Sequence, residues 1–494
     1  MANEFKRAIL VIDWGTSRIR GLLYDIRGQR VDSISVEDQT HLHVIEDGGA
    51  EIDAEMTFAT TLKILDEIHN RCQEQNWRIE AIANCSLCPT LVGLDADGKP
   101  VTPVYTWADV RAAKAAAELR KTQNDDDVYQ RTGCVLHASY LPAKLRWLST
   151  TDPGLFSKVK YWCSLGDFLM LLFLDRRICS LSVASWSGMF NRRTMDWDEG
   201  LLRTVGVSKN QLSAIDQNGD PVFGLNDNLK NRWPEFANTP WFPPIGDGIA
   251  NNIGTGCLGP DNVAVMIATS GAFRIILDCN LDHIPAGLWA YCIDRNRWLL
   301  GGALSNGGNA IDWLLRTFQI ELTQENVRRL QSRSPGSHGL CVLPFLAGER
   351  NPFWSDNARG AVVGLTAAAS AIDIFQAWIE AIAYQYVPIY QSLQPYLPSD
   401  HKIVASGGAV THYPFLAQIM ADVLGRPVSV SDDEEVTSRG LALYTLQKLR
   451  LVSDIASLIP KPKIEYSPRP DYHLAHKEGF HRYITLYNKL IGNP

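Results

Sequence analysis

The sequence predicts an α/β protein whose two similar halves face each other across a cleft. The stretch Val11–Asp25 reads as strand, turn and strand, and a second stretch of the same kind, Asp261–Leu277, follows 250 residues later. A third strand within Ile403–Val410 ends in two glycines and precedes a helical pattern. A duplication at half the chain length indicates two domains built alike, and ligands commonly bind between such domains.

The first turn carries more polar groups than a hairpin requires. In VIDWGTSRIRGLLYD, Asp13 ends the first strand, Gly15, Thr16 and Ser17 form the turn, and Arg20 follows. Hydroxyl groups donate hydrogen bonds to phosphate oxygens, and glycine lets backbone N–H groups come close to them. An Asp at this position suits a hydrated Mg²⁺. The turn is therefore predicted to hold the phosphates and metal of a nucleotide; a plain hairpin is the alternative for each turn taken alone.

The other two turns repeat parts of this chemistry. Thr269, Ser270 and Gly271 stand between two apolar strands, and Gly407 and Gly408 end the third strand. The sequence contains no GxxxxGK[ST] segment, so the predicted phosphate site is not a P-loop. Three turns that combine glycine with hydroxyl groups favour a nucleotide site over three unrelated hairpins.

The segments between the turns complete the α/β pattern. Helical spacing covers residues 58–75, 108–121 and 142–149, and a strand begins at Ile79. Residues 194–244 are rich in loop residues and lead into GDGIANN, which contains Asp247. We therefore predict a first domain over residues 1–246, a second over 247–454 and a C-terminal tail with a helix over 455–494.

The composition disfavours several classes of function. The 494 residues carry a net charge of −7, and the basic residues are spread along the chain, which argues against a nucleic-acid surface. The most apolar window, residues 168–174, is far too short to span a membrane, and we expect a cytoplasmic protein. Ten scattered cysteines indicate reduced thiols. For the one CxxC pair, Cys85 and Cys88, buried thiols are favoured over a metal or redox role.

The motifs, taken in order, resemble those of a known family. DWGTSRIR, GDGIANN, ATSGAFR, ASGGAV and ADVLGRPV resemble the FGGY carbohydrate kinases, members of the actin-like ATPase superfamily. The resemblance covers nearly the whole chain and is strongest to the gluconokinases in residues 106–113, 131–148, 187–199 and 345–365. It implies two actin-like (ribonuclease H-like) ATPase domains with an interdomain cleft.

The resemblance also implies a reaction. The γ-phosphate of ATP would pass to a terminal hydroxyl of an open-chain sugar acid, most simply from D-gluconate to 6-phosphogluconate, with ATP and Mg²⁺ as cofactors. Asp247 is the implied general base, and Asp13 and Asp247 are the carboxylates near the metal. A carboxylate after a glycine-rich bend between the halves can accept a hydroxyl proton; without the resemblance, an ordinary turn Asp is an equal alternative. The implied nucleotide contacts are Asp13, Gly15, Thr16, Ser17, Arg20, Thr269, Ser270, Gly271, Gly302, Asn306, Gly407, Gly408 and Ala409. For Gly302 and Asn306, tight packing and helix entry are an equal alternative.

The acceptor is expected to bind mainly to the first half. A cation among His137, Tyr140 and Lys144, or Arg350, would bind a substrate carboxylate by a charge-assisted hydrogen bond. Two alternatives stay open: Asp109 and Arg111 form a structural ion pair, and His137 is a satisfied buried histidine. The implied acceptor contacts are Trp107, Asp109, Arg111, His137, Tyr140, Lys144 and Asp247.

Other functions are compatible with parts of the sequence. A kinase of the same family for xylulose, ribulose or a glycerol-like polyol would share most of the motifs. A sensor of sugar or nucleotide has no need for Asp247, and an actin-like filament needs neither Asp247 nor the sugar-side motifs. The expected partners are ATP and a small sugar or sugar acid, with no nucleic acid and no membrane, and a homodimer is compatible with the sequence.

Overall fold

The first half is built on a mixed five-stranded sheet. The computed structural model describes residues 5–355, 358–431 and 433–492. The central strand Lys6–Trp14 is antiparallel to Arg18–Asp25 and parallel to Trp77–Ser86. In order across the sheet, the strands are Trp241–Gly246, Trp77–Ser86, Lys6–Trp14, Arg18–Asp25 and Val36–Gln39.

The second half repeats this arrangement within a seven-stranded sheet. Its central strand Asn262–Ile267 is antiparallel to Gly271–Leu277 and parallel to Lys402–Ser406. The equal strand directions around both central strands confirm the predicted fold class of two ribonuclease H-like domains. In order, the strands are Trp289–Cys292, Trp298–Leu304, Gly271–Leu277, Asn262–Ile267, Lys402–Ser406, Val428–Val430 and Ile464–Tyr466.

Helices connect the strands and pack on the sheets. The α-helices of the first half are Ala54–Gln75, Ala113–Thr122, Asp125–Thr132, Leu141–Thr151, Pro153–Lys158, Leu165–Leu174, Leu181–Trp186, Glu199–Val205 and Asp227–Lys230. The helix Asp247–Gly254 follows the last strand of the first sheet, and the α-helices of the second half are Gly308–Thr317, Gln324–Ser332, Ala371–Tyr384, Tyr386–Leu393, Gly408–His412, Phe415–Leu424, Val436–Lys448 and Pro470–Leu490. Within the described ranges, no helix has the length and apolar character needed to cross a membrane.

Short strands form five smaller sheets. One has three strands, Leu42–Val44, Ala50–Ile52 and Val104–Tyr105. The others are pairs: Val92–Leu94 with Tyr161–Cys163, Ile178–Ser180 with Ala214–Asp216, Phe190–Asn191 with Asp196–Trp197, and Cys341–Leu343 with Ala361–Val363.

The central strand of the first half is buried on both faces. Ile9 and Val11 belong to a hydrophobic cluster that continues into the second half, whereas Leu10 and Ile12 belong to a cluster confined to the first half. Alternate residues of a strand point to opposite faces, so this one strand joins both cores. The burial fixes the position of Asp13 at its end.

Two predicted helices differ from the structure at their starts. The helix predicted over 58–75 begins at Ala54, because Asp53 caps it by accepting a hydrogen bond of 2.8 Å from the backbone N–H of Met56. The helix predicted over 108–121 begins only at Ala113. Before it, the side chain of Asp109 accepts a hydrogen bond of 3.1 Å from the backbone N–H two residues later and keeps the chain in a turn.

The C-terminal segment belongs to the second half and is not a separate tail. The strand Ile464–Tyr466 pairs antiparallel with Val428–Val430 at the sheet edge. The helix Pro470–Leu490, present as predicted, packs against Phe415–Leu424 and Cys341–Leu343. The predicted division at residue 454 therefore cuts through one sheet, because a three-residue edge strand leaves too short a pattern to recognise.

Two helices make the closest contact between the halves. The helix Asp247–Gly254 follows directly on the last strand of the first sheet, and Val436–Lys448 packs on it and on the strand Lys6–Trp14. At the crossing, a Cβ on Gly254 would lie 1.9 Å from the carbonyl oxygen of Val436. A Cβ on Gly440 would lie 1.9 Å from the carbonyl oxygen of Ala250. Only glycine lets the two backbones approach this closely.

We expect Gly440→Ala to lower the midpoint of thermal unfolding. Overpacking against backbone costs about 3 kcal/mol, which exceeds the ~1 kcal/mol that Ala gains over Gly as a helix former. Gly259→Ala is the matched control, since a Cβ there would meet no atom within 4 Å. Equal midpoints for the two variants would show that the helices separate without penalty.

Candidate active site

The two halves enclose one large cleft. Its volume is about 690 Å³, in the range of small-molecule sites. Thr16 and Ser17 of the first half line it, as do Thr269, Ser270 and Gly271 of the second half. The first two predicted phosphate turns therefore face the same space.

Backbone hydrogen bonds close both turns. The N–H of Gly15 donates to the carbonyl of Arg18 at 3.0 Å, and a Cβ on Gly15 would lie 2.9 Å from that oxygen. In the second turn, the N–H of Ala268 donates to the carbonyl of Ser270 at 2.9 Å. The N–H of Gly308 donates to the carbonyl of Ala268 at 2.7 Å and ties the turn to the next helix. The hydroxyl groups are thus carried on fixed backbone.

Asp13 lies beside the first turn and is 5% exposed. Its cross-strand neighbour Arg20 donates from Nη1 to Oδ2 at 3.3 Å. Burial raises the pKa of Asp13 to about 6; the charge of Arg20 opposes this rise and the charge of Asp247 adds to it. The two carboxylates are therefore close enough to interact, and carboxylate pairs beside phosphates are what Mg²⁺ prefers.

Asp247 begins the helix Asp247–Gly254, and its exposed side chain faces the cleft. Its Oδ1 accepts a hydrogen bond of 2.7 Å from the next backbone N–H. The surrounding protein removes solvent from the carboxylate and raises the pKa of Asp247, while the charges of Arg274 and Arg350 oppose the rise. The carboxylate thus faces the cleft, and the positive charges of two arginines act on it.

The glycines on either side of Asp247 have a packing reason. A Cβ on Gly246 or Gly248 would lie 2.9 Å from the ring of Trp186, which lines the same cleft. The indole therefore packs directly on the bend that carries Asp247. Glycine stands on both sides of Asp247 because a side chain at either position would collide with this ring.

The third turn lies next to the second. Ser406 pairs with Met266, so Gly407 follows the strand beside the one that leads into Thr269. Gly407 has φ +105°, and a Cβ there would lie 2.6 Å from a backbone oxygen. Gly408 begins the helix Gly408–His412, with open space where a Cβ would stand, and Ala409 is buried behind it. Their contact with a nucleotide stays a prediction.

Gly302 and Asn306 lie behind the cleft wall. A Cβ on Gly302 would lie 2.7 Å from the side chain of Ile389. The buried amide of Asn306 accepts from the N–H of Ala347 at 3.0 Å and donates to the carbonyl of Gly348 at 2.9 Å. Among the described residues neither belongs to the cleft lining, which agrees with the packing alternative, and the nucleotide contact of these two stays a prediction.

Trp107, His137 and Tyr140 also line the cleft. The hydroxyl of Tyr140 forms a hydrogen bond of 2.7 Å with that of Tyr291 in the second half. The ring of His137 packs edge-on against Trp354, with centroids 5.0 Å apart. Aromatic and hydroxyl groups from both halves therefore surround the predicted acceptor space.

Asp109, Arg111 and Lys144 do not belong to the cleft lining within the described ranges. Arg111 donates from Nη2 to Asp109 at 2.5 Å and also pairs with Glu51. Lys144 is fully buried, its Nζ donates to the carbonyl of Asp109 at 2.8 Å, and burial lowers its pKa to about 8. The ion-pair alternative thus describes Asp109 and Arg111. A direct contact of Asp109, Arg111 or Lys144 with the acceptor stays a prediction.

The class of protein is decided by family comparison. The N-terminal domain of the FGGY family of carbohydrate kinases matches residues 8–254, and the C-terminal domain of that family matches residues 267–447. The chain belongs to the FGGY family of carbohydrate kinases.

Several FGGY kinases resemble the chain over nearly its whole length. The gluconokinase of Bacillus subtilis (strain 168) is 26% identical over 91% of this chain and 90% of its own. A gluconate kinase from Lactobacillus acidophilus is 26% identical with a TM-score of 0.90, covering 99% of both chains. A ligand-bound xylulose kinase from the same organism is 27% identical with a TM-score of 0.90, covering 98% of both chains. These likenesses confirm the two-domain architecture. The sugars in the names of these relatives differ.

The FGGY cleft contains an aromatic stack that the sequence did not indicate. Trp186 of the first half stacks on Tyr291 of the second with centroids 4.1 Å apart, and Trp289 stacks on Tyr291 at 4.3 Å. All three line the cleft. No local pattern could have joined them, because they come from a helix and a strand about a hundred residues apart.

Arg274 is a second residue that the sequence analysis did not assign. It is 5% exposed, lines the cleft, and donates from Nη1 to the side chain of Asn251 at 3.2 Å. Burial lowers its pKa, and the negative charge of Asp247 opposes this. A charged residue inside the apolar strand Gly271–Leu277 was the available signal.

The CxxC pair lies close to the site. Cys85 and Cys88 are both buried free thiols whose pKa burial raises well above the ordinary value. In the part of the chain that the structure describes, no group of three His, Cys, Asp or Glu side chains is arranged to hold a metal ion. Their burial is what the thiol alternative predicts.

Proposed function

We propose that this FGGY kinase transfers the γ-phosphate of ATP to a terminal hydroxyl of a sugar acid, with D-gluconate converted to 6-phosphogluconate. One observation carries the proposal: Asp247 is exposed to the same cleft as the hydroxyl turns of both halves. A base, a phosphate grip and an acceptor space in one cavity are the parts that a sugar kinase requires.

The roles follow from the geometry of the cleft. Thr16 and Ser17 would donate to phosphate oxygens from one side, and Thr269 with the backbone of Gly271 from the other. Asp247 would accept the proton of the attacking hydroxyl, and the positive charges of Arg274 and Arg350 favour its ionised form by opposing the rise in its pKa that burial causes. Positioning and charge neutralisation then supply most of the rate enhancement.

The carboxylate of Asp247 in the cleft and the buried carboxylate of Asp13 nearby fit Mg²⁺. The negative charge of Asp247 adds to the rise in the pKa of Asp13, and a divalent cation beside both carboxylates would relieve this repulsion. These two residues would hold the ion, directly or through water. When bound, Mg²⁺ neutralises phosphate charge that develops during transfer.

Arg350 supports a sugar acid as the acceptor. Its guanidinium lies over the ring of Trp107, with Cζ 4.7 Å from the ring centroid, and Nη2 donates to the carbonyl of Leu304 at 2.9 Å. Its buried Nε has no hydrogen-bond partner among the described residues. A substrate carboxylate would supply that partner by a charge-assisted bond. The gluconokinase names of two similar proteins favour the same substrate class.

A neutral ketose is the second candidate acceptor. The xylulose kinase from Lactobacillus acidophilus is as similar in structure as the gluconate kinase, and the aromatic stack of the cleft suits either sugar. The charge on the substrate distinguishes the two candidates. ATP consumption with gluconate, xylulose, ribulose, glycerol or no acceptor would also separate a kinase from a sensor.

We expect Asp247→Asn to reduce kcat by about 10³-fold, because the hydroxyl loses its proton acceptor. Affinity for ATP, measured by calorimetry, should stay within threefold of the wild type. Asp97→Asn is the matched control, since Asp97 also precedes a glycine but lies exposed on a distant hairpin. A variant of Asp247 that keeps most of its turnover would end the assignment of the base.

We expect Arg350→Gln to raise KM for gluconate by about 10- to 100-fold, the value of a charge-assisted hydrogen bond. KM for xylulose, which has no carboxylate, should change little. Steady-state kinetics with both sugars provide an internal control, because general damage to the segment around Arg350 would raise KM for both. Equal increases for the two sugars would contradict the carboxylate role, and absence of gluconate turnover by the wild type would end the gluconate proposal.

A further inference from the structure

One loop of the second half reaches the acceptor end of the cleft. Glu349, Arg350 and Trp354 of residues 345–355, here called the acceptor loop, all line the cleft. Trp354 contacts His137 of the first half. The position of this loop therefore decides where the proposed acceptor-binding groups lie.

Tyr487 of the C-terminal helix Pro470–Leu490 contacts the acceptor loop. Tyr487 is 1% exposed, and its hydroxyl donates to Oε2 of Glu349 at 2.6 Å. Its ring packs against Phe345 and Phe353, with centroid distances of 5.9 and 4.8 Å. Tyr487 thus contacts the beginning, the middle and the end of the loop.

We propose that Tyr487 is a positioning residue of the acceptor site. The C-terminal helix would then contribute to acceptor binding through this residue. By binding Glu349 it fixes the acceptor loop and, through the loop, the places of Arg350 and Trp354. The proposal rests on the acceptor site proposed above. It assigns a role in substrate binding to a helix that does not itself line the cleft in the described part of the chain.

The burial of Glu349 explains why this contact matters. Glu349 is only 6% exposed, and burial raises its pKa to about 8, which the hydrogen bond from Tyr487 opposes. A buried polar group that loses its partner costs about 1–3 kcal/mol. Without the hydroxyl of Tyr487, Glu349 would turn toward the solvent of the cleft and displace the loop that carries it.

Other attachments of the loop are independent of the helix. The N–H of Asn351 donates to the carbonyl of Ala303 at 3.1 Å, and the N–H of Ala303 donates to Oδ1 of Asn351 at 2.8 Å. Arg350 is held by the carbonyl of Leu304. Loss of the Tyr487 contact should therefore shift the loop without unfolding the domain, and the effect should fall on the acceptor and not on ATP.

The test is Tyr487→Phe, which keeps the ring and removes only the hydroxyl. We expect KM for the acceptor to rise about tenfold, with kcat changed less than about threefold and KM for ATP unchanged. Amide hydrogen exchange over residues 345–355 should become faster in the free enzyme.

Tyr384→Phe is the matched control. It removes another buried hydrogen bond to the same helix, 3.0 Å long, between the hydroxyl of Tyr384 and Nδ1 of His476. It should lower stability to a similar extent and leave both acceptor KM and loop exchange unchanged. An equal rise of KM in Tyr384→Phe, or unchanged KM and exchange in Tyr487→Phe, would overturn the proposal.

The test of Tyr487 does not depend on which sugar is the acceptor. If the wild type phosphorylates another sugar and not gluconate, the gluconate proposal fails, and KM is measured for that sugar. Hydrogen exchange tests the position of the loop even when no sugar is turned over. Faster exchange confined to Tyr487→Phe supports the positioning role, and unchanged exchange contradicts it.

Discussion

The crossing of the helices Asp247–Gly254 and Val436–Lys448 is the contact on which the site depends. Gly254 and Gly440 let the backbones touch, so the helix that begins with Asp247 is held directly against an element of the second half. The second of these helices also packs on the strand that ends near Asp13. One contact therefore fixes the distance between the two carboxylates and between the two phosphate turns. A bulkier residue at the crossing would change all of these distances together.

The charges of the cleft are arranged for a ligand that carries both phosphate and metal. Burial disfavours the charged forms of Asp13 and Asp247 and of Arg274 and Arg350, as the directions of their pKa values show. The negative charges of the two aspartates and the positive charges of the two arginines partly stabilise each other. Nε of each arginine is buried without a partner among the described residues, so the protein holds donors ready for an incoming anion. Such preorganisation would reduce the rearrangement needed when the substrates bind.

The sequence was most informative where chemistry and chain order coincide. The turns at Thr16 and Thr269 and the bend at Asp247 are local patterns, and their repetition predicted two facing domains before any coordinates. For Asp109 and Arg111 the sequence left two interpretations open, because a buried ion pair and a ligand-binding pair use the same residue types. Only the packing around Asp109 tells them apart.

Features made by contacts distant in the chain could not be predicted. The stack of Trp186, Tyr291 and Trp289 joins the two halves, and Tyr487 meets Glu349 across 138 residues. The C-terminal segment looked like a tail because its strand is short, yet it completes the second sheet. In each case the missing information was which surfaces meet, and composition and periodicity do not contain it.

The most direct test is a crystal structure of the chain with Mg²⁺, a non-hydrolysable ATP analogue and gluconate. The account predicts that the phosphates lie between the Thr16–Ser17 turn and the Thr269–Gly271 turn, and that the terminal hydroxyl of gluconate lies within hydrogen-bond distance of Asp247. A triphosphate bound by only one half, or an acceptor hydroxyl remote from Asp247, would contradict it.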